Sequence, residues 1–243
     1  MTIDQEGAQR IREWFVPRFG TERFRVFVGL LFLPYTGMVL AYTLIGAMMA
    51  SQIHWDRVVA IVVIYFFGLG IAAHALDALG SQSIKPWGAV FTRRQLWVFA
   101  AGALVAAYGI GTYYMVRYVP LLWIVAILEG FFVFAYNLEL FGGRFHTDGW
   151  FAFSWGTLPL LAGYIIQTNS VSVASLVVAA AMGLLSLVEI KASRPYKILK
   201  RQPDSTTGID GKEMSLQLER ILKCLSFGVI LLGAGLLMWR LLG

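Results

Sequence analysis

Seven long segments that are almost free of charged residues recur along this chain of 243 residues. Each one approaches the roughly 20 residues that an α-helix needs to cross about 30 Å of hydrocarbon. Because unpaired backbone groups in hydrocarbon cost several kcal/mol each, only helices and closed barrels can span a membrane. The pattern predicts an all-α fold, a polytopic membrane helix bundle of about seven transmembrane helices. The predicted spans are residues 27–50, 58–77, 95–116, 119–139, 151–167, 172–189 and 221–240.

The composition indicates the same class of protein. Hydrophobic residues make up 58% of the chain and charged residues only 14%, whereas a soluble domain carries about 25% charged residues. The polar residues 1–26 contain no apolar signal-peptide core, so we expect Met1 to begin the mature chain. Aromatic and arginine residues alternate there, which predicts an amphipathic segment at the cytoplasmic headgroups. A single membrane domain, residues 27–243, is expected to follow, and its lone Cys224 excludes an intramolecular disulfide.

The distribution of basic residues predicts the orientation. With seven spans, Arg57, Arg117 and Arg240 fall on one side, and all the other lysines and arginines, of 20 in total, fall on the side of the N-terminus. Because basic residues accumulate in cytoplasmic loops, we predict an N-in/C-out multi-pass protein, most simply of a prokaryotic plasma membrane. The net charge of +6 follows from this topology, and no binding to nucleic acid is expected. The longer polar loops, where function concentrates, are then cytoplasmic; they are residues 78–94, 140–150 and 190–220.

Ionisable and polar residues at the cytoplasmic ends of the spans form the candidate site. Such groups are costly in a membrane and often mark functional sites. His74 and Asp77, about one helical turn apart, end the second span, and Glu189 ends the sixth. Tyr136 and Asn137 end the fourth. Basic residues on the same side complete the candidate set, namely Lys85, Arg93, Arg94, Arg144, Lys191 and Arg194.

This combination of side chains suits a phosphorylated lipid. Carboxylates such as Asp77 and Glu189 can hold Mg²⁺, which usually also binds substrate phosphates, while arginine and lysine neutralise the remaining phosphate charge. We therefore expect a site for an amphiphile with an anionic head and a hydrocarbon tail. Alternatively, these groups extend to the membrane surface, cap helices and pair there. Glu129 lies in mid-span, and either a hydrogen bond within the bundle or a role in the substrate cavity explains it.

The order of these features resembles that of the UbiA superfamily of intramembrane aromatic prenyltransferases. The resemblance covers roughly residues 25–200 and is closest in the segments AYNLE, residues 135–139, and GTLPLLAGY, residues 156–164. The family's first Asp-rich motif aligns with residues 73–77, where His74 occupies an Asp position. Its second motif aligns with residues 189–193, where one acid survives as Glu189. Members of the family usually have nine helices, and seven are predicted here.

The resemblance implies a function and a role for each residue. Asp77 and Glu189 would hold Mg²⁺ and, with His74, form the catalytic group. Tyr136 and Asn137 would line the substrate pocket. A prenyl diphosphate would bind there, its phosphates contacted by the basic residues named above, and would transfer its prenyl group at the cytoplasmic leaflet.

Three hypotheses for the function stay open at this point. The chain is an enzyme of prenyl transfer, a non-catalytic UbiA-like subunit of a larger membrane complex that binds lipid, quinone or pigment, or an unrelated small transporter. The expected partners are the bilayer, an isoprenoid lipid and other membrane subunits. No motif for a nucleotide or a metalloprotease zinc is present, and no haem or flavin is expected. A bis-histidine haem would have to use His74 and His146, because His54 falls on the opposite side.

Overall fold

The computed structural model describes residues 13–80, 90–201 and 209–243, and within them all regular secondary structure is helical. Two π-helical segments, Phe66–Ala73 and Phe153–Thr157, interrupt the α-helices, and a short 3₁₀ turn covers Phe141–Gly143. Lys85 of the candidate set lies outside the described residues. The α-helices are α1 (Glu22–Leu30), α2 (Leu33–Met48), α3 (Trp55–Tyr65), α4 (His74–Gly80), α5 (Arg93–Arg117), α6 (Leu122–Asn137), α7 (Asp148–Ala152), α8 (Leu158–Thr168), α9 (Val173–Arg201) and α10 (Ile209–Leu242).

The described residues form a multi-pass arrangement of apolar helices. One predicted span, α6, contains only 16 residues, or about 24 Å at 1.5 Å per residue, which is short of the hydrocarbon thickness. The predicted multi-pass class is therefore supported, with six candidate spans and one shorter apolar helix. The six helical runs long and apolar enough to cross a membrane are Glu22–Met48, Trp55–Gly80, Arg93–Arg117, Asp148–Thr168, Val173–Lys200 and Asp210–Leu242.

The short hairpins meet at one end of the bundle. Arg240 Nη2 donates to Met48 O, at the end of α2, at 2.9 Å. Arg57 Nη1 donates to Ile166 O, near the end of α8, at 3.2 Å. These arginines bind carbonyls that a helix C-terminus leaves unpaired. The pattern of basic residues predicts that the helix ends joined by Arg57 and Arg240 lie on one side of the membrane. The candidate site residues lie towards the other ends of their helices.

Helix α2 runs through the centre of the bundle, and small residues let its neighbours approach closely. A methyl group added at Gly46 would overlap Leu160 O of α8, and one added at Gly163 of α8 would overlap Thr43 O. Close contact through small residues is a common way for membrane helices to pack.

Three local departures from the α-helix shape the end of the bundle that holds the candidate site. Phe32 has a left-handed backbone (φ 43°, ψ 51°) and breaks the predicted first span between α1 and α2. The Thr36 hydroxyl donates to the Leu31 carbonyl at 2.6 Å and so pairs a group freed by the break. The two π segments lie immediately before His74 and around Trp155. Widened π turns are rare and are frequent at functional sites.

Candidate functional site

A cavity of about 320 Å³ lies at this end of the bundle. Helices α4, α6 and α9, which are far apart in sequence, each contribute residues to its wall. The predicted spans indicated only which residues lie at the same depth in the membrane. The structure shows that many of these residues also line the same cavity. The residues predicted from the sequence that line the cavity are His74, Asp77, Tyr136, Asn137, Glu189 and Arg194.

Aromatic rings form one continuous wall of the cavity. The His74 ring stacks on Phe32, with centroids 4.9 Å apart, and also contacts Trp155 at 5.2 Å. Trp155 in turn stacks on Phe151 at 5.3 Å with an interplanar angle of 14°. His74 Nε2 lies 3.4 Å from Thr36 Oγ1. The imidazole is therefore held between two rings, and the wall offers an apolar surface to a hydrocarbon chain or a flat ring.

Three carboxylate residues line the cavity: Asp77 from α4, Glu139 from the turn after α6, and Glu189 from α9. The side chains of Asp77 and Glu189 make no hydrogen bond to the described residues. Lys197 is near enough for its positive charge to act on both of these side chains and on His74. Its Nζ also lies 5.0 Å above the Phe32 ring. The cavity therefore combines acidic and basic groups beside an aromatic wall.

The side chains that could bind a metal show which kind of magnesium site is possible here. Among the described residues, no group of three His, Cys, Asp or Glu side chains is arranged to hold a metal. Mg²⁺, however, is usually held by one or two carboxylates and completes its shell with water and substrate phosphates. The oxygens of Asp77 and Glu189, free of hydrogen bonds to the described residues, fit an ion that arrives with a phosphate. A metal held by protein ligands alone does not fit the described part of the chain.

A second polar cluster forms the side of the cavity next to α6 and α7. The Tyr136 ring stacks on His146 at 4.5 Å, and His146 Nδ1 lies 3.0 Å from Tyr136 O. Arg194 pairs with Asp148, with Nη1 3.0 Å from Oδ1, while its Nη2 is buried and has no hydrogen-bond partner among the described residues. The ion pair holds Arg194 at the cavity, and the unpartnered Nη2 leaves a guanidinium N–H group that suits an anion.

Helix α9 carries two lysines that bear on the prediction. Lys191 was predicted for the site but does not line the cavity, and Lys197 lines the cavity but was not predicted. Glu189, Ser193 and Lys197 follow one another at intervals of four residues and all line the cavity. Lys191 lies on a different face of the helix and is exposed. The sequence carried this signal, because residues at i, i+4 and i+8 share a helical face, but the candidate set included Lys191 and omitted Lys197.

The remaining basic candidates lie outside the cavity wall. Arg93 and Arg94 occupy the first turn of α5 and are exposed. Arg144 is exposed in the connection between α6 and α7. These three side chains belong to the surface at this end of the bundle rather than to the lining of the cavity.

Glu129 belongs to a different part of the bundle. Its Oε1 accepts a hydrogen bond from the Tyr65 hydroxyl at 2.9 Å. It lines a separate, almost entirely apolar cavity of about 70 Å³ against Tyr108 and Gly130. The structure thus shows the hydrogen bond within the bundle, and a role of Glu129 in a substrate cavity stays a prediction.

The chain matches no protein-family model, no curated protein and no solved structure. Its function is therefore argued from the cavity itself. The observations that matter are that three carboxylates, the cations Arg194 and Lys197, and an aromatic wall line one cavity although they come from separate stretches of the sequence.

Proposed function

We propose that this chain is a UbiA-like integral membrane protein that binds a prenyl diphosphate in the cavity and transfers the prenyl group to an acceptor. One observation carries the proposal: Asp77, Glu189, Lys197 and Arg194 line the same cavity as the aromatic wall. An ionic head and an apolar tail are the two parts of such a lipid, and the cavity has a surface for each.

The proposed roles follow from the chemistry of the side chains. Arg194 and Lys197 bind the phosphate oxygens, because charge-assisted hydrogen bonds are the strongest that side chains form. The rings of Phe32 and Trp155 pack against the isoprenoid chain. Asp77 and Glu189 would hold Mg²⁺, which when bound neutralises part of the diphosphate charge.

The proposed reaction is an electrophilic substitution. The bond between the allylic carbon and the diphosphate oxygen breaks, and the diphosphate leaves with the electron pair. A nucleophilic carbon of an aromatic acceptor bonds to the allylic carbon and then loses its proton to solvent. The contribution of Arg194 and Lys197 is electrostatic, since the negative charge on the leaving group grows as the bond breaks.

A non-catalytic subunit that binds an isoprenoid lipid, quinone or pigment is the second candidate. It is favoured by the lack of a three-ligand metal group among the described residues. This function needs the aromatic wall and the cavity, but not the breaking of a bond.

Calorimetric titration of geranylgeranyl diphosphate into the protein in nanodiscs, with magnesium or with EDTA, tests the proposed site. Asp77→Asn and Glu189→Gln each remove a negative charge, and we expect them to weaken magnesium-dependent binding about tenfold or more, which corresponds to about 1.4 kcal/mol. Lys191→Met is the matched control, because this exposed residue lies on another face of α9. Binding that is indifferent to magnesium and to both acidic variants would remove the basis of the proposal.

Turnover separates the two candidate functions. Release of inorganic diphosphate is measured with geranylgeranyl diphosphate, magnesium and a panel of phenolic acceptors. Release that depends on the acceptor and is lost in Asp77→Asn supports the transferase. Retained binding without release, for every acceptor, supports the non-catalytic subunit.

A further inference from the structure

Residues 13–17 pack against the outside of the cavity wall. The ring of Phe15 lies 5.4 Å from Phe32 and 6.1 Å from Tyr35, and both of these line the cavity. Val16 is buried, and Pro17 O accepts a hydrogen bond from Arg25 Nε at 2.9 Å. The segment therefore packs behind the part of the wall that Phe32 and Tyr35 form, where α1 and α2 are broken.

A single hydroxyl connects this segment to the two longest helices. Tyr196 Oη of α9 lies 2.8 Å from Glu13 Oε2 and 3.2 Å from Glu219 Oε2 of α10. Two carboxyl groups therefore meet one tyrosine hydroxyl, which has only one hydrogen to donate. If both contacts are hydrogen bonds, one of the carboxyl groups must itself carry a proton.

The surrounding charges identify which carboxyl group carries that proton. Glu219 pairs with Lys223 at 2.8 Å and with Lys200 at 3.5 Å, as expected of a carboxylate. Glu13 forms no ion pair within 4 Å with a described residue. Glu13 is therefore the carboxyl group that would carry the proton, and its O–H would then donate to Tyr196 Oη while the Tyr196 O–H donates to Glu219.

We propose that a proton bound by Glu13 fastens the segment of residues 13–17 to α9 and α10, so that the segment closes over the Phe32 and Tyr35 wall when Glu13 is protonated and detaches when it ionises. Ionised Glu13 would share one hydroxyl hydrogen with ionised Glu219. That arrangement leaves two negative charges in contact through a single donor, which weakens the attachment. The inference concerns the segment and holds whichever ligand the cavity binds.

The direction of the pH dependence follows from the groups around Glu13. Burial raises the pKa of Glu13, and the charge of Glu219 on α10 adds to this. The hydrogen bond with Tyr196 and the charges of Lys197 and Lys200, all on α9, lower the pKa but are outweighed. A carboxyl group with a raised pKa stabilises the attached state fully at acid pH. This stabilisation is lost as the pH rises through the raised pKa of Glu13.

A spin label on the segment tests this inference. Arg18 is exposed, so Arg18→Cys in a Cys224→Ser background places a single nitroxide beside the attached residues. The mobility of the label is measured by electron paramagnetic resonance in nanodiscs from acid to alkaline pH. Glu13→Gln is the isosteric comparison, because its amide N–H donates to Tyr196 as the neutral acid does but does not titrate.

We expect the label to change from immobile to mobile with rising pH when Glu13 is present. It should stay immobile throughout in Glu13→Gln and be mobile throughout in Glu13→Ala. Identical pH profiles for Glu13 and Glu13→Gln would overturn the inference, as would a label whose mobility never changes with pH. The measurement contains no lipid diphosphate, so its result is separate from that of the ligand titration.

Discussion

Lys197 is the residue that most affects the electrostatics of the candidate site. Its charge acts on His74, Asp77 and Glu189. A positive charge at that position stabilises the two carboxylates while the cavity is empty. It also supplies a donor for an anionic headgroup. We therefore expect Lys197 to influence the binding of cations and of anions in opposite directions.

Replacing Lys197 with methionine tests this dual role. Loss of one charge-assisted hydrogen bond should weaken the binding of geranylgeranyl diphosphate about tenfold. The affinity for magnesium alone should increase, because a competing positive charge is removed from Asp77 and Glu189. Both affinities are measured by calorimetry, with Lys191→Met as the control. A loss of both affinities together would indicate that Lys197 only maintains the structure.

Residues that share a depth in the membrane could be predicted from the sequence, whereas their direction around the helix could not. His74, Asp77 and Glu189 were found because charged and polar groups at helix ends stand out against apolar spans. Lys197 was overlooked although its spacing from Glu189 is regular. Phe32 was also overlooked, although Pro34 lies within the predicted first span and a proline there favours a break in the helix just before it.

At the level of the helices, close packing of α2 against α8 and α10 forms the frame of the cavity. Pro34 at the start of α2 and the break before it move the aromatic residues Phe32 and Tyr35 to the cavity wall. The two π segments then alter the helical register next to His74 and Trp155. A regular helical repeat applied to the sequence cannot predict this change of register, because each extra residue in a turn rotates the side chains of all later residues about the helix axis.

Two glycine substitutions measure this packing. Gly163→Ala introduces a methyl group that overlaps Thr43 O of α2, so we expect a loss of about 1–3 kcal/mol in the free energy of unfolding. Gly102→Ala in α5 is the matched control, since open space surrounds that position and alanine favours a helix by up to about 1 kcal/mol. Reversible unfolding in mixed micelles gives both values. Equal effects of the two substitutions would contradict the close contact.

At the level of the whole molecule, the sequence predicts the class of fold well because span length and apolarity are set by the bilayer. The hydrogen bonds of Arg57 and Arg240 join hairpins that the basic-residue pattern assigned to one side. The helix α6 is the exception to the length rule. Its role as a seventh span, and the N-in/C-out orientation, stay predictions.

Labelling of single cysteines in intact cells tests the orientation. In a Cys224→Ser background, a membrane-impermeant maleimide should modify Gln52→Cys, which is exposed at the end of the bundle shared with Arg57 and Arg240. Arg144→Cys, exposed at the other end, should react only after the cells are permeabilised. The reverse pattern would show that the chain is inserted the other way.

The most direct test of the central claim, that the cavity binds a prenyl diphosphate, is photocrosslinking. A geranylgeranyl diphosphate analogue with a diazirine in its isoprenoid chain is bound in nanodiscs with magnesium, irradiated, and mapped by mass spectrometry. The account predicts modification at Phe32, Tyr35 or Trp155 that excess unlabelled diphosphate prevents and that Asp77→Asn reduces. Modification confined to the lipid-facing surface of α5 or to the cavity beside Glu129, with no effect of the competitor, would contradict it.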